Sequence, residues 1–204
     1  MEIHYTTDGS EPTATSPLYE KIVLVKEALT LKSATFTHGR QMGKTLILPV
    51  RWNLATAKLV LTTNPTEKLL TNGIRGSLKY SDFEWCSWTD NDSVSFTIDL
   101  LKPEVLNTLT LGCITNNGMA IHKPASVKVE VSDDNSKFRE AAMQSFTPKE
   151  IFREGNFIEN LSLKLGGIQG RYVRVTAKGP GVCPASHVRP GQTSRIFFDE
   201  VILE

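Results

Sequence analysis

The side chains able to do chemistry in this 204-residue chain are few and thinly spread. Two pairs of neighbouring acids, Asp133-Asp134 and Asp199-Glu200, come nearest to a general acid and base. Neighbours along a strand point to opposite faces, and acids in a turn are usually solvated, so neither pair reads as a catalytic couple. The histidines His4, His38, His122 and His187 lack the H-x-x-x-H or H-E-x-x-H spacing that sets two ligands on one helical face. Cys86, Cys113 and Cys183 are an odd, widely spaced set, neither a disulfide framework nor a zinc pattern. Their simplest role is as small buried side chains, with one disulfide using two of them as the alternative. No serine lies in a G-x-S-x-G elbow. The sequence offers no catalytic centre.

Composition narrows the partners. Lysine plus arginine (23) nearly cancels aspartate plus glutamate (22), which argues against the basic face a nucleic-acid binder needs. No apolar run approaches the ~20 residues of a membrane span. The opening Met1-Glu2-Ile3-His4 lacks the basic and apolar regions of a signal peptide. A strand-like pattern begins almost at once, so the start reads as a point inside a longer protein.

The elements that must position these residues are short and β-rich. Ile3-His4-Tyr5-Thr6-Thr7 alternates and meets the turn Asp8-Gly9-Ser10-Glu11-Pro12. Residues 22–25, 29–37 and 46–50 follow, predicting about four strands in a small sandwich-like unit. A second set covers 58–61, 94–100, 105–114, 127–132, 160–165, 172–177 and 196–203. Val127-Lys128-Val129-Glu130-Val131 and Tyr172-Val173-Arg174-Val175 alternate cleanly, so each should bury one face. Residues 148–152 hint at one helical turn. The fold class is all-β, with a domain at 1–54 and a second at 55–204. Trp52, at the junction, is expected to wedge the two together.

The tract Tyr5-Thr6-Thr7-Asp8-Gly9-Ser10-Glu11-Pro12, with Ser16-Pro17-Leu18-Tyr19, residues 29–34 and the Gly39 turn, resembles the small Ig-like domain that follows the catalytic domain of bacterial chitobiases and β-hexosaminidases. The resemblance implies a spacer without catalysis of its own. Further on come Leu70-Thr71-Asn72-Gly73-Ile74-Arg75-Gly76-Ser77, then Trp85 and Trp88, then Val94-Ser95-Phe96-Thr97-Ile98-Asp99-Leu100. Residues 124–134 follow the pattern P-x-x-V-x-V-x-x-S-x-D, Arg171-Tyr172-Val173-Arg174-Val175 follows, and Phe198-Asp199-Glu200-Val201 closes the chain. In that order these landmarks resemble a discoidin (coagulation-factor type C) domain, a jelly-roll β-sandwich used by many bacterial carbohydrate-binding modules. The stretch from Gly181-Val182-Cys183-Pro184 to Glu200 is similar to the version ending bacterial β-hexosaminidases.

The resemblance implies that function sits on loops at one end of the sandwich. A sugar offers an apolar C–H face and a rim of hydroxyls, so its site combines an exposed aromatic with polar groups. Residues 80–92, 115–123 and 187–192 are the candidate loops, with Trp85, Trp88, Asn116, Asn117, His122, His187 and Arg189 as candidate glycan-binding residues. Trp88 is the better fit to a plug at the sandwich end, and Trp85 the better fit to an exposed platform. The family also implies calcium, here held by Thr71, Asn72, Ser77 and Glu200. Asn72 stands where an aspartate is usual, and an Asn-Gly turn hydrogen-bonded to Glu200 is the alternative. The implied protein is a non-catalytic accessory region of a β-hexosaminidase-like glycoside hydrolase in the periplasm, on the surface or in the secretions of a bacterium. It would bind N-acetylhexosamine- or galactose-containing glycans, with a catalytic domain upstream. The competing expectation is a pair of purely structural domains that bind no sugar.

Overall fold

The computed structural model describes residues 1–23, 25–62, 64, 66–88 and 93–204. The chain divides into two compact units, Met1–Trp52 and Asn53–Glu204.

The first unit is one antiparallel sheet of three strands, β1 (Glu2–Thr6), β2 (Leu29–Thr37) and β3 (Arg40–Val50), in the order β1-β2-β3. The tight turn between β2 and β3 is made by His38 (φ 49°) and Gly39 (φ 76°). Positive φ at both central residues gives the hairpin turn whose twist matches the flanking strands. Ala34, Phe36 and Val50 are buried, and His4 meets Phe36 edge-on at 5.2 Å. Residues 22–25 were expected as a strand. Among those described, Ile22, Val23 and Val25 are not in one, while Leu24 lies outside the described residues. The outer edge of β1 is met instead by residues 17–19, where Tyr5 N donates to Pro17 O and Tyr19 N to Ile3 O; β-branched composition alone does not make a strand.

The second unit holds β4 (Leu59–Leu61), β5 (Cys86–Trp88), β6 (Ser93–Asn116), β7 (Ser126–Ser132), β8 (Arg139–Ser145), α1 (Pro148–Ile151), β9 (Asn156–Lys178) and β10 (Ile196–Leu203). Among the described residues these strands pair antiparallel, in the order β5-β10-β6-β9-β7-β8, with β4 on β6. The segments expected as separate strands at 94–100 and 105–114 are one strand, and 160–165 and 172–177 are another. Both long strands turn a corner together. The β6–β9 register breaks between Asp99 and Glu104, where Leu101 takes φ 72°, and again between Leu106 and Thr108, across from the positive-φ pair Gly166 and Gly167.

That corner explains the sandwich. The first part of β6 pairs with the last part of β9, which also pairs with β7; the later part of β6 pairs with the start of β9 and with β10. Two layers therefore share the same two strands, folded over at one end. A bidentate ion pair pins the fold line: Arg171 Nε and Nη2 donate to Asp99 Oδ1 and Oδ2 at 2.7 and 2.8 Å, and Leu101 N donates to Asp99 Oδ1 at 2.8 Å. The Arg171 hydrogen bonds hold the Asp99 carboxyl below its usual range, against the upward push of burial. Val127, Val129, Val131, Val173 and Val175 face inward against Phe96, Ile98, Leu109, Leu111, Leu161 and Leu163, while Lys128, Glu130, Tyr172 and Arg174 stay partly exposed.

α1 starts with a capping box: Thr147 and Glu150 exchange hydrogen bonds, and Pro148 sits in the first turn. Cys86, Cys113 and Cys183 are all free and buried, so the alternative disulfide is absent among them. Burial lifts the Cys86 thiol to about 11 and pushes Cys113 higher still. No helix among the described residues is long and apolar enough to cross a membrane.

Candidate functional site

Because the long strands double back at the corner, their free ends gather at the opposite end of the second unit. β6 ends at Asn116 beside Asn156, where β9 starts, and Ser126 of β7 pairs with both Lys178 and Ser145. The loops at 77–85, 117–125, 146–155 and 179–195 consequently share one tip. Hydrogen bonds tie them together. Asn156 Nδ2 donates to Leu78 O at 3.4 Å, Asn117 N to Gly155 O at 3.0 Å, and Arg195 Nη2 to Met119 O at 2.5 Å. Arg189 Nε donates to Gly118 O. Beneath them Trp85, Ile114, Ile121 and Phe197 form a small apolar cluster, onto which Tyr80 and Met119 pack.

The loop at 77–85 is wound around Asp82. Its carboxylate accepts Ser77 N at 2.6 Å and Glu84 N at 3.0 Å, and its own N–H reaches Lys79 O at 2.9 Å. This tight winding holds Phe83 at φ 70°, a conformation costly for an aromatic residue, and leaves the residue 88% exposed. Phe83 lies within a candidate loop but was not singled out by the sequence; its signal was only its place between two acids in a short turn-rich tract.

The tryptophans divide: Trp88 is buried as the favoured plug would be, and Trp85 departs from the exposed platform expected of it. Trp85 is 5% exposed, and its indole lies flat over Gly76, where a Cβ would come within 2.3 Å of the ring. Its Nε1 donates to Ser77 O at 3.1 Å. Trp88 is 9% exposed and stacks on Phe96 at 6.2 Å, with Phe198 tilted at 5.7 Å. Neither indole offers a face to a sugar; apolar area of that size is worth more inside. Residues 89–92 of the same loop lie outside the described residues.

The polar candidates divide. Asn116 Oδ1 caps the short 3₁₀ turn Asn117–Met119 by accepting Met119 N at 3.1 Å, and Asn117 Oδ1 is buried without a partner. Arg189 is exposed. His122 and His187 are not surface groups: they are 0% and 8% exposed, with their Nε2 atoms 3.1 Å apart. Burial, then the neighbouring His187, pushes the His122 imidazole down to about 4. Cys183 joins them, so histidines scattered in sequence meet with a thiol in space. Alongside lies an open groove of about 720 Å³ lined by Lys123, Phe152, Arg153, Glu154, Pro184 and Ser186 among others.

The acids of β10 also depart from expectation. Instead of pointing to opposite faces, Asp199 and Glu200 are both buried, at 0% and 1% exposed. The β10–β6 register slips between Phe198 and Val201, both in the core, and such a bulge sets the two intervening side chains on one face, here the face covered by residues 73–76. Asp199 Oδ2 accepts Arg75 Nε at 2.6 Å and Gly76 N at 3.0 Å. Glu200 Oε2 accepts Gly73 N at 3.0 Å, while its Oε1 is buried without a well-formed hydrogen bond. Burial drives the Glu200 carboxyl up to about 9; Gly73 N–H opposes this and the Asp199 charge adds to it. By contrast Asp134, in its turn, is held down to about 2 by the Lys137 and Ser136 N–H groups, as a solvated turn acid should be.

The other implied calcium ligands flank Gly73, whose N–H reaches Glu200. Thr71 Oγ1 donates to Lys58 O at 2.9 Å; Asn72 Oδ1 accepts Ile74 N at 2.8 Å and its Nδ2 donates to Glu84 Oε2 at 3.0 Å; Ser77 Oγ accepts Lys79 N at 3.1 Å. The Asn-Gly turn bonded to Glu200 is thus present. The donors are hard oxygens of the kind calcium takes; the Glu200 carboxylate also has the Asn53 side chain beside it, though Oε1 makes no well-formed hydrogen bond.

Two antiparallel layers sharing bent central strands, with loops crowded at the tip, define a discoidin-type jelly roll. The F5/8 type C domain model matches residues 57–188, well over half the chain, and the chain belongs to that family. Residues 1–46 match the chitobiase/beta-hexosaminidase C-terminal domain. Among solved structures, CpGH89CBM32-6 produced by Clostridium perfringens is similar at 18% identity and TM-score 0.48, covering 75% of this chain and 98% of that one. A Streptococcus pneumoniae fucose binding module shares 16% identity at TM-score 0.48, covering 83% and 98%. Chitosan-binding module 1 from the chitosanase/glucanase of Paenibacillus sp. IK-5 shares 15% at TM-score 0.46, covering 76% and 99%. A comparison with curated proteins returns no match.

Proposed function

We propose that this chain is a non-catalytic carbohydrate-binding region of a secreted, β-hexosaminidase-like glycoside hydrolase, and that the tip of its second unit holds the glycan. The observation that carries the reading is Phe83: an aromatic residue almost wholly in water, held there by a strained backbone and an Asp82-centred turn. An apolar ring costs free energy in solvent unless something covers it, and strain of this kind collects at binding sites. A sugar's C–H face stacks on Phe83, and its hydroxyls meet polar groups of the neighbouring tip loops, of which Arg189 is exposed. Trp85, Trp88, His122 and His187 serve as the buried support of that tip. The chitobiase-type match at residues 1–46 supports a hydrolase as the parent protein, with its catalytic domain upstream; the location that goes with this reading is the periplasm, surface or secretions of a bacterium.

Calcium belongs to the same reading. Thr71, Asn72, Ser77 and Glu200 would hold it, and its positive charge would let Glu200 remain ionised inside the protein.

The test is a glycan array followed by calorimetry with N-acetylhexosamines and galactosides, for wild type and Phe83→Ala. Single-sugar affinity is expected near ~1 mM, or about −4 kcal/mol. Phe83→Ala should abolish binding while leaving thermal stability unchanged. Silence of the wild type across the array, or full binding by Phe83→Ala, refutes the site; silence favours a purely structural pair of domains.

A further inference from the structure

Behind the groove, two tip loops meet through a set of buried side chains whose chemistry goes beyond supporting a glycan site. Cys183 and His187 belong to one loop in a C-x-x-x-H spacing, where Gly191 N donates to Cys183 O and His187 N to Pro184 O. His122 comes from the segment between the 3₁₀ turn and β7, 65 residues away from His187 in sequence. One ligating atom from each lies within 4.8 Å of the others, and all three residues are buried. We propose that Cys183, His187 and His122 form a structural site for a thiolate-binding divalent cation, zinc by preference, which ties the 179–195 loop to the loop after β6. This rests on the cluster alone and stands whether or not the tip binds sugar.

Zn–N bonds of ~2.0–2.1 Å and Zn–S bonds of ~2.3 Å put the edges of a tetrahedron at roughly 3.3–3.6 Å. The two Nε2 atoms already stand 3.1 Å apart, a separation that needs little adjustment. Imidazole and thiolate donors select zinc-like metals over calcium or magnesium, so this site and the oxygen-lined one at Glu200 are chemically separate. Phe152 covers both rings edge-on, at 5.1 Å from His122 and 6.1 Å from His187, which keeps bulk water off the set. The other ring nitrogen of His122 is buried and faces the Ile151 backbone without a well-formed hydrogen bond. A backbone carbonyl in that place is the usual orienting partner of a ligating histidine. Ser194 Oγ lies 3.5 Å from Cys183 Sγ, a neighbouring oxygen beside the three ligands.

The metal-free proton arrangement is also legible. Arg189 N donates to His187 Nδ1 at 2.9 Å, so the His187 proton sits on Nε2 and is shared with His122 Nε2. On metal binding both Nε2 lone pairs go to the cation and the His187 proton moves to Nδ1. The Arg189 N–H contact must then open, and Cys183 releases its thiol proton to solvent. One proton leaves the protein per metal bound.

The experiment uses the full chain, reduced and stripped with EDTA, then titrated with CoCl₂ and ZnCl₂. Cobalt at one equivalent should give a thiolate-to-metal charge-transfer band with the visible bands of tetrahedral coordination. Zinc should bleach them, raise Tm and shift the Arg189 amide resonance; CaCl₂ should leave the cobalt spectrum untouched. Cys183→Ser should lose the charge-transfer band and the zinc-dependent rise in Tm, with its far-UV circular dichroism unchanged. If Cys183→Ser fails to fold, His187→Gln applies the same test from the other end of the loop. A folded wild type without the charge-transfer band, or a band that survives the variant, overturns the proposal.

Discussion

Replacing Glu200 with glutamine tests how the buried acids are held. Burial raises the Glu200 carboxyl from an ordinary value near 4.5 to about 9, so at neutral pH the folded chain carries it protonated and the unfolded chain does not. A carboxyl raised on folding contributes stability that is complete below its unfolded pKa and is lost as pH rises through its folded one. Each unit between 4.5 and the working pH costs about 1.4 kcal/mol, so at pH 7 the wild type forfeits roughly 3 kcal/mol to proton uptake. Glu200→Gln keeps the shape and an oxygen for Gly73 N–H but needs no proton. The variant should match the wild type within about 1 kcal/mol at pH 5 and exceed it by roughly 3 kcal/mol at pH 7, the gap widening toward pH 8.5. Urea unfolding in EDTA, followed by tryptophan fluorescence at these three pH values, reads the difference. A variant no more stable at pH 7, or a gap that does not grow with pH, refutes the assignment of a neutral Glu200. Calcium should close the gap by stabilising the wild type alone.

Two further outcomes follow from the core and the corner. Trp88→Ala empties the stack between Phe96 and Phe198 and should cost about 3–5 kcal/mol in urea unfolding, in contrast to the silent Phe83→Ala. Asp99→Asn removes the carboxylate that Arg171 holds in its depressed, ionised form. Wild-type stability from this group is present above the ordinary aspartate range and fades as pH falls through it. The variant should therefore be less stable at pH 7 and nearly equal at pH 2–3, as read from Tm against pH.

The inner strands were legible because alternation leaves a mark. Val127-Lys128-Val129-Glu130-Val131 and Tyr172-Val173-Arg174-Val175 announce one wet and one dry face, and the structure gives them both. β8, reading Arg-Glu-Ala-Ala-Met-Gln-Ser, has no β-branched residue and becomes a strand only because β7 offers it an edge. β5 is three residues inside what reads as a loop, recruited by β10. At the tip, composition located the loops but could not tell which aromatic faces water. Trp85 is inside because Gly76 leaves it room, and Phe83 is outside because Asp82 winds the backbone, both facts of three-dimensional contact. The paired burial of Asp199 and Glu200 depends on a one-residue slip that no spacing rule reveals. The His122, Cys183 and His187 cluster draws on two loops, of which only the C-x-x-x-H half is visible in sequence.

The base of the second unit has a consequence of its own. Leu54 N bonds to Leu203 O, and Leu203 N bonds to Asn53 Oδ1, so the polypeptide enters and leaves this unit through one doorway. That doorway lies toward the folded-over end of β6, where Leu203 pairs with Leu109 and Glu204 with Thr108. Evolution or an engineer can thus rewrite the far loops without disturbing the stem, and the two ends of the 53–204 segment can be stitched together and the chain reopened elsewhere. A short linker would suffice, since the two backbones already touch.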